Sequence, residues 1–234
     1  MPVDASTTVR AEPPVLSTVE GVDAGKQAIL HLWGRLSSIN VRKVVWAAQE
    51  VGVPFTRTDA GGQFGIVQTA GYQRMNPNAL VPVLQDGGIT LWESNVIVRY
   101  LATRYPDAGL MPLAPAQRFE AEQWMDWQQT TTNPAGRTAF IQLVRTPVEK
   151  RDPERVRQSV AATEPLMALL DQHLSQRVFM LGDRFSIADI PLGCEVHRWF
   201  DLPQPRPAWP HLERWFAALC ARPASKGVLD IPLS

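Results

Sequence analysis

Strand-forming segments are confined to the first half of this chain, and this asymmetry limits its fold more than any other feature. Short apolar runs bounded by glycine, proline or asparagine turns, which are typical of strands, stop before Pro115. After Pro115, aromatic and aliphatic residues recur at helical spacing, as at Phe119, Trp124 and Trp127. Mixed elements followed by helices alone predict two packed units, the first containing a sheet and the second all-helical.

The first unit, residues 27–106, has the predicted order βαβαββα. The predicted strands cover 28–33, 53–56, 81–84 and 89–92, and the predicted helices cover 41–51, 67–75 and a segment that opens at 93–94 and closes before 106. A strand, a helix and a strand in about thirty residues form a βαβ unit with parallel strands. The glycines of Asp86-Gly87-Gly88 indicate a hairpin between the last two strands.

The remaining chain divides into a linker, a helical unit and an N-terminal extension. Residues 107–115 are rich in proline and glycine and predict a linker. The helical unit, residues 116–234, has helical spacing over 116–144, 154–174, 186–199 and 210–221. Residues 1–26 lack any period and predict a flexible tail, with an arm that packs on a partner subunit as the alternative.

Charge and cysteine content exclude several classes of protein. Lys+Arg and Asp+Glu both number 23, so the formal net charge is zero, and we expect neither nucleic acid nor an anionic membrane as a partner. The two cysteines form no CxxC motif, which excludes a disulfide framework and a dithiol redox site. We find no signal peptide and no apolar run of about 20 residues, so we expect a cytoplasmic protein without a bound metal.

Three polar segments are candidates for a binding site. A proline within an apparent strand, at Val81-Pro82, indicates either backbone presented to a ligand or an ordinary edge strand. Glu93-Ser94 begins a helix, where unpaired N–H groups favour a ligand carboxylate, although simple capping explains the same residues. The polar side chains of 37–40 follow the first strand, where they bind a ligand or cap the next helix.

Together these segments resemble the N-terminal domain of cytosolic glutathione transferases. Residues 76–84, NPNALVPVL, followed by 91–101, LWESNVIVRYL, are similar to the most recognisable stretch of that family, and 182–189, GDRFSIAD, resembles its helix-capping segment. The resemblance implies a thioredoxin-like domain followed by an all-helical domain, and a homodimer. It also implies that the Val81–Pro82 bond is cis, and that Asp189 is a structural, helix-capping residue.

The resemblance assigns roles to individual residues. Val81, before Pro82, pairs with the cysteinyl backbone of glutathione, and Glu93 with Ser94 holds its γ-glutamyl group. The residue before Val81 is polar in several classes but is Leu80 here, so the contacts to the glycyl carboxylate are left open.

The first turn carries the catalytic group in this family. Ser38 precedes Arg42 by the spacing of the serine-type members, and Ser38 with Asn40 matches the bacterial nu-like pattern, with Ser37 as the alternative donor. The resemblance therefore implies that Ser38 and Asn40 stabilise the glutathione thiolate.

The implied activity is transfer of glutathione to a small apolar electrophile. Two other functions are compatible with the same fold: a glutathione-dependent disulfide or peroxide reductase, which Asn40 favours, and a non-enzymatic binding protein. Arg137 is either a donor to glutathione or a solvated side chain, and Trp124 and Trp127 line a second-substrate site or belong to the core.

Overall fold

A computed structural model describes residues 29–234, so the predicted N-terminal extension lies outside the described residues. Its sheet has the strand order β2-β1-β3-β4. The strands are β1 (Leu30–Trp33), β2 (Phe55–Thr58), β3 (Val83–Asp86) and β4 (Ile89–Trp92). β1 runs parallel to β2 and antiparallel to β3, and β3 runs antiparallel to β4. The predicted parallel βαβ unit and the hairpin are both confirmed.

Three helices complete the first unit: α1 (Ile39–Glu50), α2 (Ala70–Met75) and α3 (Ser94–Arg104). α1 begins after Ser38, which has an extended backbone, and ends before Gly52, whose φ of 68° suits the residue that follows a helix. The order βαβαββα followed by helices is the predicted thioredoxin-like arrangement.

β2 and β3 each lie two residues further along the chain than the predicted strands 53–56 and 81–84, and β1 begins at Leu30. β2 begins at Phe55 because Phe55 is the residue that pairs with Leu30, so Val53 and Pro54 precede the ladder. β3 begins at Val83, the partner of Trp33, and Pro82 stays outside it because proline has no N–H to donate. Both corrections move residues from a strand into the loop before it.

Five helices form the second unit. They are α4 (Pro115–Trp127), α5 (Asn133–Phe140), α6 (Pro153–His173), α7 (Asp189–Phe200) and α8 (Pro210–Cys220). Two π turns, at 128–132 and 141–145, join α4 and α5 into one continuous helical run from Pro115 to Arg145. The sequence predicts this run as a single helix but does not reveal its π turns.

The π turns keep one row of side chains facing the same way. Residues 129, 133, 137, 141 and 145 are spaced by four, and an α-helix with about 3.6 residues per turn would rotate each step by about 40°. The wider i→i+5 turns, closed by bonds from Asn133 N–H to the Gln128 carbonyl and from Thr146 N–H to the Ile141 carbonyl, offset that rotation. Pro134, which has no N–H, favours the first of these irregular turns.

One buried cluster of apolar side chains extends through both units. Trp46 of α1 is fully buried against α7, next to Gly193. Trp124 and Trp127 pack edge to face at 5.3 Å and belong to the periphery of this core. Within residues 29–234, none of the helices is long and apolar enough to cross a membrane.

Candidate active site

The three polar segments leave the sheet at the same edge. Trp33, Val83 and Trp92 are aligned across β1, β3 and β4. Consequently the turn after Trp33, the residues before Val83 and the residues after Trp92 lie side by side. The sheet therefore brings together residues that are about sixty positions apart in the sequence.

The Val81–Pro82 peptide bond is cis, as predicted. The preceding carbonyl, that of Leu80, accepts hydrogen bonds from the Tyr72 hydroxyl at 2.8 Å and from the Asn76 amide at 2.9 Å. Among the described residues, none donates to the Val81 carbonyl or accepts from its N–H. The backbone of Val81 is thus held in place and free to pair with a peptide ligand.

The turn before α1 presents unused polar groups. Ser38 occupies the N-cap position, where its carbonyl accepts from the N–H groups of Val41 and Arg42, both at 3.0 Å. Its hydroxyl makes no capping bond, so of the two alternatives for this segment the helix cap is not the function of Ser38. The Asn40 side-chain oxygen is buried and has no partner among the described residues. Both side chains retain hydrogen-bonding capacity for a ligand.

Glu93 and Ser94 lie at the start of α3. Glu93 has a φ of 71°, which is uncommon for a residue other than glycine and is typical of functional sites. Its side chain is exposed and makes no capping bond, whereas Ser94 is buried. The unpaired N–H groups of the α3 N-terminus and one free carboxylate are therefore adjacent.

A cavity of about 420 Å³ opens between this edge and the continuous helical run. Its wall includes Ser38, Asn40 and Val81 from the first unit and the side-chain row from Gln129 to Arg145 from the second. Ser37 also lines it, so the choice between Ser37 and Ser38 stays a prediction. Pro82, Glu93 and Ser94 lie at the same sheet edge but outside the wall of this cavity.

Arg42 has a structural function that its sequence spacing from Ser38 did not reveal. It is buried and donates to the carbonyls of Leu36 and Pro232, both at 2.8 Å, and to Val228 at 3.1 Å and Ile231 at 3.2 Å. Burial lowers the pKa of this guanidinium from its ordinary value. Arg42 therefore anchors the segment 228–232 beside the cavity.

Lys43 is a buried residue that the sequence analysis missed. Its ammonium donates to Gln128 Oε1 at 2.7 Å and to Gln129 Oε1 at 3.1 Å. Burial lowers the pKa of Lys43 to about 8, with the nearby Glu195 carboxylate acting in the opposite direction. The spacing of the apolar residues in α1 leaves this position looking exposed, because it does not show the helices that pack on the opposite side.

Across residues 29–234, His, Cys, Asp and Glu form no group of three or more that could hold a metal ion.

Two family models match the chain. Residues 28–103 match the glutathione S-transferase N-terminal domain, and residues 153–218 match the glutathione S-transferase C-terminal domain. Glutathione S-transferase GstB of Escherichia coli K12 is 41% identical over 208 residues, which cover 88% of this chain and all of that protein. Glutathione S-transferase 3 of Zea mays is 30% identical over 215 residues, 88% of this chain and 96% of that protein.

A solved structure shares the same architecture. The theta class glutathione S-transferase of Xanthomonas axonopodis pv. citri, with glutathione bound, superposes with a TM-score of 0.85 at 43% identity. The match covers 88% of this chain and 100% of that one. With these matches over both units, the chain belongs to the cytosolic glutathione S-transferase superfamily and is a glutathione S-transferase.

Proposed function

We propose that this enzyme binds glutathione along the sheet edge and that Ser38, assisted by Asn40, stabilises its thiolate for attack on a small electrophile. Glutathione is the co-substrate. One observation carries the proposal: the Ser38 hydroxyl has no partner among the described residues and lines the same cavity as the unpaired Val81 backbone. The site is compatible with both the serine-type and the nu-like pattern, because Ser38 and Asn40 both line the cavity.

The size of the edge fits an extended tripeptide. Neighbouring strands are about 4.8 Å apart, so β1 and β4 are separated by about 10 Å across β3. Three extended residues span about 10 Å. In our proposal the γ-glutamyl group lies at Glu93 and Ser94, the cysteinyl backbone pairs with Val81 beside Pro82, and the sulfur lies near Ser38.

Ionisation of the thiol is the step that the residues must favour. A free thiol has a pKa of about 8.5, and only the thiolate is an effective nucleophile. A hydroxyl or amide that donates to sulfur favours the thiolate, and lowering the pKa by two units takes about 2.7 kcal/mol. A charge-assisted hydrogen bond and the N–H groups at the start of α1 together supply stabilisation of about this size.

The electrophile occupies the part of the cavity that faces the helical run. Phe140, Ile141 and Leu233 line it and provide apolar surface. We therefore propose that the reacting molecule has an apolar body, which these side chains hold next to the sulfur.

The thiol pKa of bound glutathione tests the assignment. We predict that Ser38→Ala raises this pKa by at least about one unit, equivalent to about 1.4 kcal/mol, because the thiolate loses its hydrogen-bond donor. Thiolate absorbance, followed by pH titration, measures it in Ser37→Ala, Ser38→Ala and Asn40→Ala. Ser37→Ala is the matched control and is expected to change the pKa little.

Two results would contradict the assignment. A larger shift in Ser37→Ala moves the donor by one residue, and no shift in any variant assigns activation to backbone N–H groups. Because Asn40 also donates in our proposal, the effects of Ser38→Ala and Asn40→Ala are expected to be less than additive.

The reductase alternative is supported by one specific observation: the side-chain oxygen of Asn40 lies in the cavity wall and has no partner among the described residues. Parallel assays with a disulfide, a peroxide and an aryl chloride separate the two enzymatic functions. Failure to be retained on immobilised glutathione would instead favour a non-enzymatic protein.

A further inference from the structure

The cavity wall carries a concentration of positive charge that the whole chain does not share. Five arginines line it, and no aspartate or glutamate does; they are Arg35, Arg42, Arg137, Arg145 and Arg198. The formal net charge of the chain is zero, so this excess belongs to the cavity. A concave site lined by one sign of charge concentrates ligands of the opposite sign.

Two of the five arginines are already engaged within the protein. Arg42 donates to backbone carbonyls, as described above. Arg198 is buried, forms an ion pair with Glu195 and donates to the Asn133 side chain at 3.0 Å. Their positive charges are therefore held in place by internal partners.

The other three have no side-chain carboxylate within ion-pair distance in the described part of the chain. Arg137 makes no side-chain hydrogen bond to any described residue, and neither does Arg35, which lies over Gly61 and Gly62. Arg145 donates to the backbone oxygens of Ser37 at 2.9 Å and Ser234 at 3.0 Å. Arg35 and Arg137 are therefore left for a ligand, whereas Arg145 keeps only its Nη1 group without a partner among the described residues.

The same three side chains line one cavity. Arg137 and Arg145 belong to the side-chain row that the π turns keep aligned, and Arg145 stacks over Phe140 at 4.6 Å. Its bond to the Ser37 carbonyl brings it to the turn that contains Arg35. Burial, followed by repulsion from Arg35, Arg198 and Arg137, lowers the pKa of Arg145, as expected for clustered like charges.

We propose that the electrophile carries an anionic group, a carboxylate in the simplest case, which Arg137 and Arg145 bind while Arg35 adds positive charge. This inference rests on the proposed function and names its substrate class: an apolar body against Phe140 and Ile141, with an anion at the arginines. Planar guanidinium groups pair with carboxylates through two parallel hydrogen bonds. The rival ligand for these arginines is the glycyl carboxylate of glutathione itself.

A matched pair of aryl chlorides tests the proposal. We would compare 4-chloro-3,5-dinitrobenzoate with 4-chloro-3,5-dinitrobenzamide, which differ in charge but share one reacting carbon. In both reactions the thiol loses its proton to solvent, a sulfur–carbon bond forms, and the carbon–chlorine bond breaks with release of chloride. We expect wild-type kcat/KM to be at least about tenfold higher for the benzoate, with a preference that falls as ionic strength rises.

Variants of the cavity arginines show which residues cause the preference for the benzoate. Arg137→Gln and Arg145→Gln are each expected to lower the benzoate-to-benzamide ratio of kcat/KM by about tenfold, through loss of a charge-assisted pair. Arg155→Gln is the matched control, because Arg155 is exposed on α6, away from the cavity, and its removal should leave both rates unchanged. Equal wild-type rates for the two substrates, or an unchanged ratio in both cavity variants, would overturn the proposal.

Binding measurements separate this proposal from the catalytic one. Calorimetry would compare the glutathione conjugates of the two aryl chlorides and glutathione alone. The proposal predicts that the wild type binds the carboxylate conjugate more tightly than the amide conjugate, and that Arg137→Gln removes this difference. That result supports the anion site even if Ser38 proves to have no role in thiolate formation. An equal loss of affinity for glutathione alone would assign the arginines to the tripeptide and refute the proposal.

Discussion

Asp189 is a single buried carboxylate that joins three parts of the helical unit. One oxygen accepts from the Met180 N–H and from the Trp215 indole, both at 2.9 Å, and the other accepts from the N–H and hydroxyl of Ser186 at 2.9 and 3.1 Å. The bond from the Ser186 N–H is one half of the predicted capping box, although α7 itself begins at Asp189 and its N-cap is Ala188. Met180 and Trp215 are partners that the motif did not reveal.

We predict that Asp189→Ala lowers the free energy of unfolding by at least about 2 kcal/mol, because four buried donors lose their acceptor. The affinity for glutathione should be nearly unchanged, since Asp189 is not part of the cavity wall. Chemical denaturation and glutathione titration measure the two quantities. A large loss of affinity with unchanged stability would show that Asp189 belongs to the site.

The pH dependence of stability provides a second measurement on Asp189. Burial raises the pKa of this carboxyl from 3.8 to about 6, and the four donors oppose the shift. Because the folded pKa is the higher one, the contribution of Asp189 is present below about pH 4 and is lost as pH rises through about 6. Relative to Asp189→Asn, the wild type should therefore lose stability over that interval, and a constant difference would contradict this.

At the scale of elements, α1 connects the sheet to the helical unit through a close contact with α7. A Cβ atom at Gly193 would lie 2.7 Å from Leu219 Cδ1 and 2.8 Å from Trp46 Cζ3. Trp46 and Leu219 are fully buried, so neither has space to move away. Glycine is therefore required where α1, α7 and α8 meet.

We predict that Gly193→Ala destabilises the protein by about 1–3 kcal/mol, because overpacking outweighs the higher helix propensity of alanine. Gly71→Ala is the matched control: Gly71 is exposed in α2, and its nearest contact would be the end of Arg74 at 3.9 Å. That variant should be unchanged or slightly stabilised. Equal effects of the two substitutions in thermal denaturation would show that the contact is not tight.

At the scale of the whole molecule, the two units share one core, and the segment between them is part of it. Leu110, in the predicted linker 107–115, is buried, and its carbonyl accepts from the Ile187 N–H at 3.1 Å. The division into 27–106, 107–115 and 116–234 stays a prediction. The units are expected to unfold together, because the buried cluster is continuous between them.

We predict a homodimer at micromolar concentration. Val96 and Phe119 are 44% and 67% exposed on α3 and α4, two helices that are joined by the bond from Asn95 to the Met125 carbonyl. Exposed apolar side chains on adjacent helices favour association. Light scattering should show twice the monomer mass and a smaller mass for Val96→Glu. Val148→Glu, at another exposed apolar position, is the control, and a monomeric wild type would refute the prediction.

The sequence by itself determined the order of elements, the hairpin, the cis bond at Pro82 and the three segments at the sheet edge. Each follows from local patterns: apolar spacing, turn glycines, helix-start residues, and a family motif in one short stretch. These features are predictable because backbone conformation and the buried face of an element are set largely by neighbouring residues.

Only the tertiary structure decided which side chains meet across long separations. Arg35 and Arg145 are 110 positions apart, and their convergence depends on how the helical run packs against the sheet and on its two π turns. Lys43 is buried because other helices cover it, and Asp189 reaches Trp215 because α7 and α8 pack together. Periodicity reports that a face is covered but not what covers it, since the angles and offsets of packed elements are set by the whole core.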